Sequence, residues 1–383
     1  MHNPQLEIQV LASLVAVTCT LPGVFLVLRK MAMMSDAISH SILAGIAVAF
    51  IITGNIHSPL LIIGAAFTGI ATVFLVEMFQ QTKLVSEDAS IGMVFTALFS
   101  IGVIIISRYA GNVHLDIDAV LLGEIAFAPF NRLIIRGYDL GPKSLYVMLM
   151  ILILNIIFIA VFYKELKIVT FDPKLAAVLG ISPAFIHYGL MGMVSLTAVG
   201  AFDAVGSILV VALMVVPPLT AYLISDKLED ILFISCMIGI AIGILGYQLA
   251  GIFDVSIAGA MATIAGIIFM LIFLLGPRYG LIATIYRRQK QKGDFAELTL
   301  LMHIYDHETI PEEEKECHID HIKEVLQWEP GFVNKLIKGL IKKYMLTEEE
   351  GILLLTKHGR QKAEEGLVTV GLEVKNKSIN PSS

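Results

Sequence analysis

Residues Leu26–Ile52 read LVLRKMAMMSDAISHSILAGIAVAFII, and the rest of the chain is best read outward from them. Two bases, Arg29 and Lys30, open the stretch, and a long apolar run closes it. As a helix, it sets Asp36 and His40 four residues apart, so their side chains share one face. An acid and an imidazole inside an apolar helix are expensive to bury, which makes the pair a functional candidate. Together they supply one oxygen and one nitrogen, half of a divalent-cation site. The competing reading is that Asp36, with Ser35, caps the helix start, while His40 is a hydrogen-bonded interior residue.

The chain of 383 residues is 56% hydrophobic and 16% charged, with mean hydropathy +0.80. Soluble domains carry about 25% charged residues, so most of this chain belongs in lipid. The charged residues thicken after Arg287, dividing a membrane part (1–288) from a soluble domain (289–372) and a disordered tail (373–383). A net charge of −6 argues against a general nucleic-acid surface. Cys19, Cys236 and Cys317 are too few and too scattered for a disulfide framework. The N-terminus lacks the basic start and cleavage site of a removable signal peptide, so residues 8–28 read as a retained span.

Runs at 8–28, 36–54, 59–79, 89–107, 145–163, 185–203, 205–224, 230–250 and 256–276 approach the roughly 20 residues a crossing needs. The stretch 185–224 is continuous, either two spans or a broken helix, which gives eight or nine in total. Lys/Arg bias places Arg29, Lys30, Lys83, Lys164, Lys167, Lys174, Lys227 and the run Arg287–Lys292 in the cytoplasm, with the C-terminal domain inside. Arg108, Arg132, Arg136 and Lys143 run against that bias, because 108–144 should lie outside. Gly239 and Gly243 have the spacing that lets helices approach closely, and Pro217 with Pro218 frees backbone carbonyls that neighbours must satisfy.

From Phe295 the pattern is soluble. Helices are predicted at 295–307, 319–326, 332–344 and 357–367, with a hairpin at 346–356 whose tip is acidic. That order is the order of a winged helix.

Several other groups carry chemical interest. His114, Asp116 and Asp118 alternate in HLDID and read either as metal ligands or as a solvated outer loop. Glu124 is placed to line an entrance. Asp203 either lines the pathway or marks a reorientation point at the outer surface. Cys317, His318 and His321 form a metal-ligand pattern beside a glutamate run, whose competing reading is a charged, solvated loop. In Phe171–Gly180 (FDPKLAAVLG), Pro173 suits a first helical turn, Ala176 and Ala177 give a slim face, and Gly180 ends the helix. A short exposed helix of this kind fits a groove on another protein. No phosphate-binding loop, nucleophile elbow or His-Glu-x-x-His helix is present. If something is moved uphill, a partner supplies the energy.

These stretches, with Leu28–Ser41, Glu87–Ser107, Asp118–Glu124 (DAVLLGE), Ala201–Asp226 and Gly276–Leu281 (GPRYGL), resemble the permease subunits of ATP-binding-cassette importers for zinc, manganese and iron. The resemblance spans nearly all of residues 8–285. It implies an all-α polytopic membrane fold and a homodimer around a central pathway. Cytoplasmic ATPase subunits would dock on Asp172, Pro173, Ala176, Ala177 and Gly180, and an extracytoplasmic metal-binding protein would deliver the ion. The family's intramembrane Asp-x-x-x-His pair falls on Asp36 and His40. Residues 295–370 resemble the winged-helix domain of iron- and manganese-dependent repressors, most clearly in Leu353–Leu367 (LLLTKHGRQKAEEGL).

The expectation is therefore a bacterial plasma-membrane permease for Mn, Zn or Fe, with no permanent cofactor and no enzymatic activity of its own. Its partners would be lipid, a second copy, the ATPases and the delivery protein. Lys335, Lys338, Lys342 and Lys343 leave nucleic-acid binding by the tail open. The rival reading is a membrane-tethered metal sensor acting through the winged helix; a secondary carrier without an ATPase is a third.

Overall fold

In hydrocarbon a backbone can satisfy its own N–H and C=O groups only as helix or closed barrel, so long apolar runs become helices. The computed structural model describes residues 4–54, 58–109, 125–135, 138–276, 278–308, 317–319, 321–322 and 328–370. They fall into two units, Met1–Leu281 and Ile282–Ser383.

The first unit holds α1 (Pro4–Leu28), α2 (Met33–Thr53), α3 (Pro59–Gln81), α4 (Glu87–Tyr109), α5 (Lys143–Val161), α6 (Tyr163–Phe171), α7 (Pro173–Val178), α8 (Pro183–Val205), α9 (Ser207–Tyr222), α10 (Leu228–Phe253) and α11 (Ile257–Leu275). Between α4 and α5 lie a 3₁₀ turn (Ile125–Phe130) and a hairpin, β1 (Arg132–Ile135) with β2 (Tyr138–Pro142). Among the described residues, eight helices are long and apolar enough to cross a bilayer: α1–α5, α8, α10 and α11. The continuous 185–224 run breaks at Gly206 (φ 79°, ψ 164°), a left-handed conformation that glycine adopts at little cost.

The second piece, α9, has 16 residues, about 24 Å at 1.5 Å per residue and short of a full crossing. It still brings the chain back: Ala221 near its end shares a buried cluster with Ile186 at the start of α8, Leu228, Phe25 and Ala176. That end carries the lysines and arginines expected in the cytoplasm. At the opposite end, Arg132 reaches Glu7 at 3.2 Å and Asp139 at 2.5 Å. Those two carboxylates, Asp139 first, raise the Arg132 pKa. A cation against the Lys/Arg bias is thus neutralised locally.

α1 lies at the centre, against α5, α8, α9 and α10. It has the most buried span of the eight, and two devices hold it. Gly243 of α10 lies so close to α1 that a Cβ there would stand 2.8 Å from the Ser13 N, so the Gly239/Gly243 spacing serves bundle packing. The other device concerns prolines, each of which removes the N–H that would bond the carbonyl four residues back. Pro22 frees the Thr18 carbonyl, and Asn155 Nδ2 of α5 donates to it at 3.4 Å while donating to Thr197 Oγ1 at 2.9 Å. Pro217 frees the Leu213 carbonyl, and Thr20 Oγ1 of α1 lies 3.3 Å from it. Pro218 frees the Met214 carbonyl, against which Gly23 packs with no room for a Cβ.

In the second unit, α12 (Leu281–His307), α13 (Pro330–Lys342), β3 (Leu346–Glu349), β4 (Ile352–Leu355) and α14 (Lys357–Val370) enclose a core of Leu300, Leu301, Ile304, Val333, Leu336, Leu340, Leu346, Leu353 and Ala363. The hairpin turns on Glu350 (φ 51°) and Gly351 (φ 84°), the two-residue loop that matches strand twist. The helix expected at 295–307 begins instead at Leu281, because the basic run Arg287–Lys292 continues the helix with its side chains exposed. Most of the helix expected at 319–326 lies outside the described residues, as does the tail 373–383.

Candidate metal site and coupling helix

α2 starts immediately after a tight turn in which Lys30 has φ 62° and Met31 N bonds the Leu26 carbonyl at 2.9 Å. Its N-cap position is Ala32, with no side-chain cap, and the Ser35 hydroxyl donates back to the Ala32 carbonyl at 2.7 Å. Neither Ser35 nor Asp36 caps the helix, so the capping explanation of Asp36 does not hold. Asp36 Oδ1 lies 3.4 Å from His40 Nε2, with side chains 37% and 29% exposed. The rings of Phe95 and Phe99 on α4 flank His40, centroids 5.9 and 6.0 Å away. The pair shares one long contact and keeps its remaining lone pairs available, which is what a cation ligand requires. Among the described residues, no three His, Cys, Asp or Glu side chains converge.

A second acid–imidazole pair was not foreseen. Glu77 near the end of α3 lies 2.6 Å from His187 Nε2 on α8 and accepts from the Tyr188 hydroxyl at 2.5 Å. His187 Nδ1 faces Arg29 Nη1 at 3.4 Å, and Arg29 Nε donates to Thr170 Oγ1 of α6 at 3.1 Å. Burial lowers the Arg29 pKa to about 10, which leaves the guanidinium charged at neutral pH. The signal was available: Glu77 and His187 are ionisable residues inside segments read as spans.

α7 is the short helix anticipated in FDPKLAAVLG. Asp172 caps it, accepting from Lys174 N at 3.1 Å and Leu175 N at 2.9 Å, and Pro173 occupies the first turn. Gly180 (φ 82°) ends it, with Ile181 N returning to the Ala176 carbonyl at 3.0 Å. Ala176 is buried in the bundle, whereas Ala177 is exposed, as are Phe171, Leu175 and Leu179; Val178 is 84% exposed. A row of apolar side chains thus stands outside the bundle.

Glu124, with His114, Asp116 and Asp118, lies outside the described residues. Asp203 sits in the last turn of α8, three residues before Gly206, and its side chain is outside the described set. In the tail, Cys317 is buried, His318 makes a backbone bridge to Ile352, and His321 is half-buried.

The profile of the ABC 3 transport family matches residues 5–276, the whole helical bundle just described. The chain belongs to the ABC 3 transport family. Among curated relatives, the zinc transport system membrane protein TroD of Treponema pallidum is 42% identical over 362 residues, 94% of this chain and 98% of that one. A match of that length extends beyond the bundle into the second unit. The manganese transport system membrane protein MntD of Bacillus subtilis is 50% identical over 269 residues, 70% of this chain and 91% of that one. A solved structure, PsaBC from Streptococcus pneumoniae in complex with Fab, matches with TM-score 0.61 and 26% identity. It covers 73% of this chain and 94% of its own.

Proposed function

We propose that this chain is the membrane-spanning permease of an ATP-driven importer of a divalent transition metal, with Asp36 and His40 as its intramembrane ligands. The observation that carries the site is the half-exposed pair on α2, sharing a single contact 3.4 Å long. Membership of the ABC 3 transport family and relatives whose names specify zinc and manganese transport support the cargo class. The chain is a transport subunit of the inner membrane with its C-terminal unit in the cytoplasm; ATP is hydrolysed by a partner.

Two ligands are fewer than a transition metal takes. A second copy, meeting the first across the exposed faces of α2 and α4, would complete the set with two oxygens and two nitrogens. Ala89, Gly92, Met93, Thr96, Ala97 and Ser100 line a shallow hollow on α4, and all but Met93 are small enough to allow close helix approach. The ATPases would dock on Asp172, Pro173, Ala177 and the exposed apolar row of α7, while Ala176 and Gly180 fix its seat. An extracytoplasmic binding protein would deliver the ion past Glu124 and Asp203.

The test is Mn²⁺ or Zn²⁺ uptake by vesicles holding the complete complex. Asp36→Ala and His40→Ala should each lower uptake by about 100-fold or more, since each removes a ligand from every copy. Assembly should be unaffected. Uptake at the unsubstituted rate in both variants would remove the site assignment.

For the tail we propose a winged-helix regulatory module. The order α12, α13, hairpin, α14 and the His318–Ile352 bridge support it. The acidic turn Glu348–Glu350 and the holding of Lys343, just past the end of α13, by Glu297 at 2.6 Å favour a protein partner over phosphate backbone.

A further inference from the structure

We propose that Arg29 is a positioning residue that ties the ATPase-coupling helix to the helix carrying the metal ligands. This inference rests on the ATP-driven reading above. It begins with chain connectivity. Thr170 stands two residues before Asp172, the residue that caps α7. Arg29 stands four residues before Met33, the start of α2. The bond from Arg29 Nε to Thr170 Oγ1, 3.1 Å long, joins the two.

The turn between Arg29 and α2 is stiff. Arg29 N, Lys30 N and Met31 N bond the Phe25, Val27 and Leu26 carbonyls at 3.1, 3.0 and 2.9 Å, and Met34 N bonds Met31 at 3.0 Å. A displacement of Arg29 therefore carries the first turns of α2, and with them Asp36 and His40.

The other side of Arg29 is fixed by proton chemistry. A guanidinium has donors only, so His187 Nδ1 must accept from Arg29 Nη1. That places the imidazole proton on Nε2, which lies 2.6 Å from Glu77 Oε1. The second Glu77 oxygen takes the Tyr188 hydroxyl. Four elements thus meet around Arg29 and His187: the α1–α2 turn, the end of α6 and the start of α8 directly, and the end of α3 through His187. Arg29 Nη2 is buried and finds no partner among the described residues. Docking and ATP-driven motion at α7 would pull Thr170, release or rotate Arg29, and tilt the ligand pair from one side of the membrane towards the other.

The experiment uses the permease with its ATPase subunits in lipid vesicles, measuring Mn²⁺ uptake and ATP hydrolysis together. Arg29→Gln and Thr170→Val should lower ions moved per ATP by about tenfold, a typical scale for coupling through contacts remote from both ligands. Hydrolysis should stay within about twofold. Thr170→Ser should restore the ratio, because it returns the hydroxyl without the methyl. Thr170→Val is nearly isosteric, so it keeps the test alive should Arg29→Gln fail to assemble. An unchanged ratio in Thr170→Val, or a parallel fall of uptake and hydrolysis that Thr170→Ser does not reverse, would overturn the inference. Uptake by the unsubstituted complex that needs no ATP would instead remove the ATP-driven reading, and this inference with it.

Discussion

The bundle contains two acid–imidazole pairs of the same chemistry in opposite circumstances. Glu77 and His187 lie on different helices, 2.6 Å apart, with Tyr188 and Arg29 occupying further positions around them. Asp36 and His40 lie on one helix, 3.4 Å apart, with aromatic rings as neighbours and about a third of each side chain exposed. The first pair is consumed by the protein itself; the second retains its lone pairs. Residue type and depth alone therefore do not make a ligand; unspent donor capacity does.

That contrast can be broken experimentally. The largest effect expected is the loss of about 100-fold in metal uptake from Asp36→Ala, with little change in stability because its one contact is long. Glu77→Ala should do the reverse. It leaves His187 and Tyr188 without their acid and should cost about 2 kcal/mol, the range for hydrogen bonds to a charged group, while metal affinity stays within about threefold. Thermal unfolding in detergent, set beside metal titration, separates the two outcomes. A Glu77→Ala protein with unchanged stability and lost metal binding would mean that the roles are reversed.

A neutral network gives a smaller effect. Asn155→Leu deletes the donor to the Thr18 carbonyl and to Thr197, and should cost about 1–2 kcal/mol, as for other unsatisfied buried groups. The same unfolding measurement checks it, and Asn155→Gln should recover part of the loss. Smallest of all is Arg132→Gln at the outer hairpin. Its ion pairs are part-exposed and open to salt screening, so the unfolding midpoint should move by less than the scatter in high salt, and a shift that survives high salt would contradict this.

What sequence could reveal follows the same division. Asp36 and His40 were legible because their relation is local: four residues on one helix place them together. α7 was legible for the same reason, since Asp172, Pro173 and Gly180 are cap, first turn and stop within nine residues. The hairpin at 346–356 was legible from its acidic, glycine-bearing tip between apolar runs. The Glu77–His187 contact was not, because 110 positions separate the partners and nothing in either span names the other. Nor was the full length of α12: a run of bases reads equally well as linker or as a solvated helix. Prolines 217 and 218 announced a need for outside neighbours, yet only the packing of α1 on α9 showed the Thr20 hydroxyl beside the Leu213 carbonyl and Gly23 packed on the Met214 carbonyl.

That packing constrains how the bundle can be made. Helix α1 is synthesised ahead of α5 and α9, with its Thr18 carbonyl bare until Asn155 arrives 137 positions later. Its Thr20 hydroxyl meanwhile donates to the Ala16 carbonyl of its own helix at 2.7 Å and meets the Leu213 carbonyl, at 3.3 Å, later still. A segment made before its partners thus matures only after them, waiting against water or insertion machinery until α5 and α9 have been threaded into place.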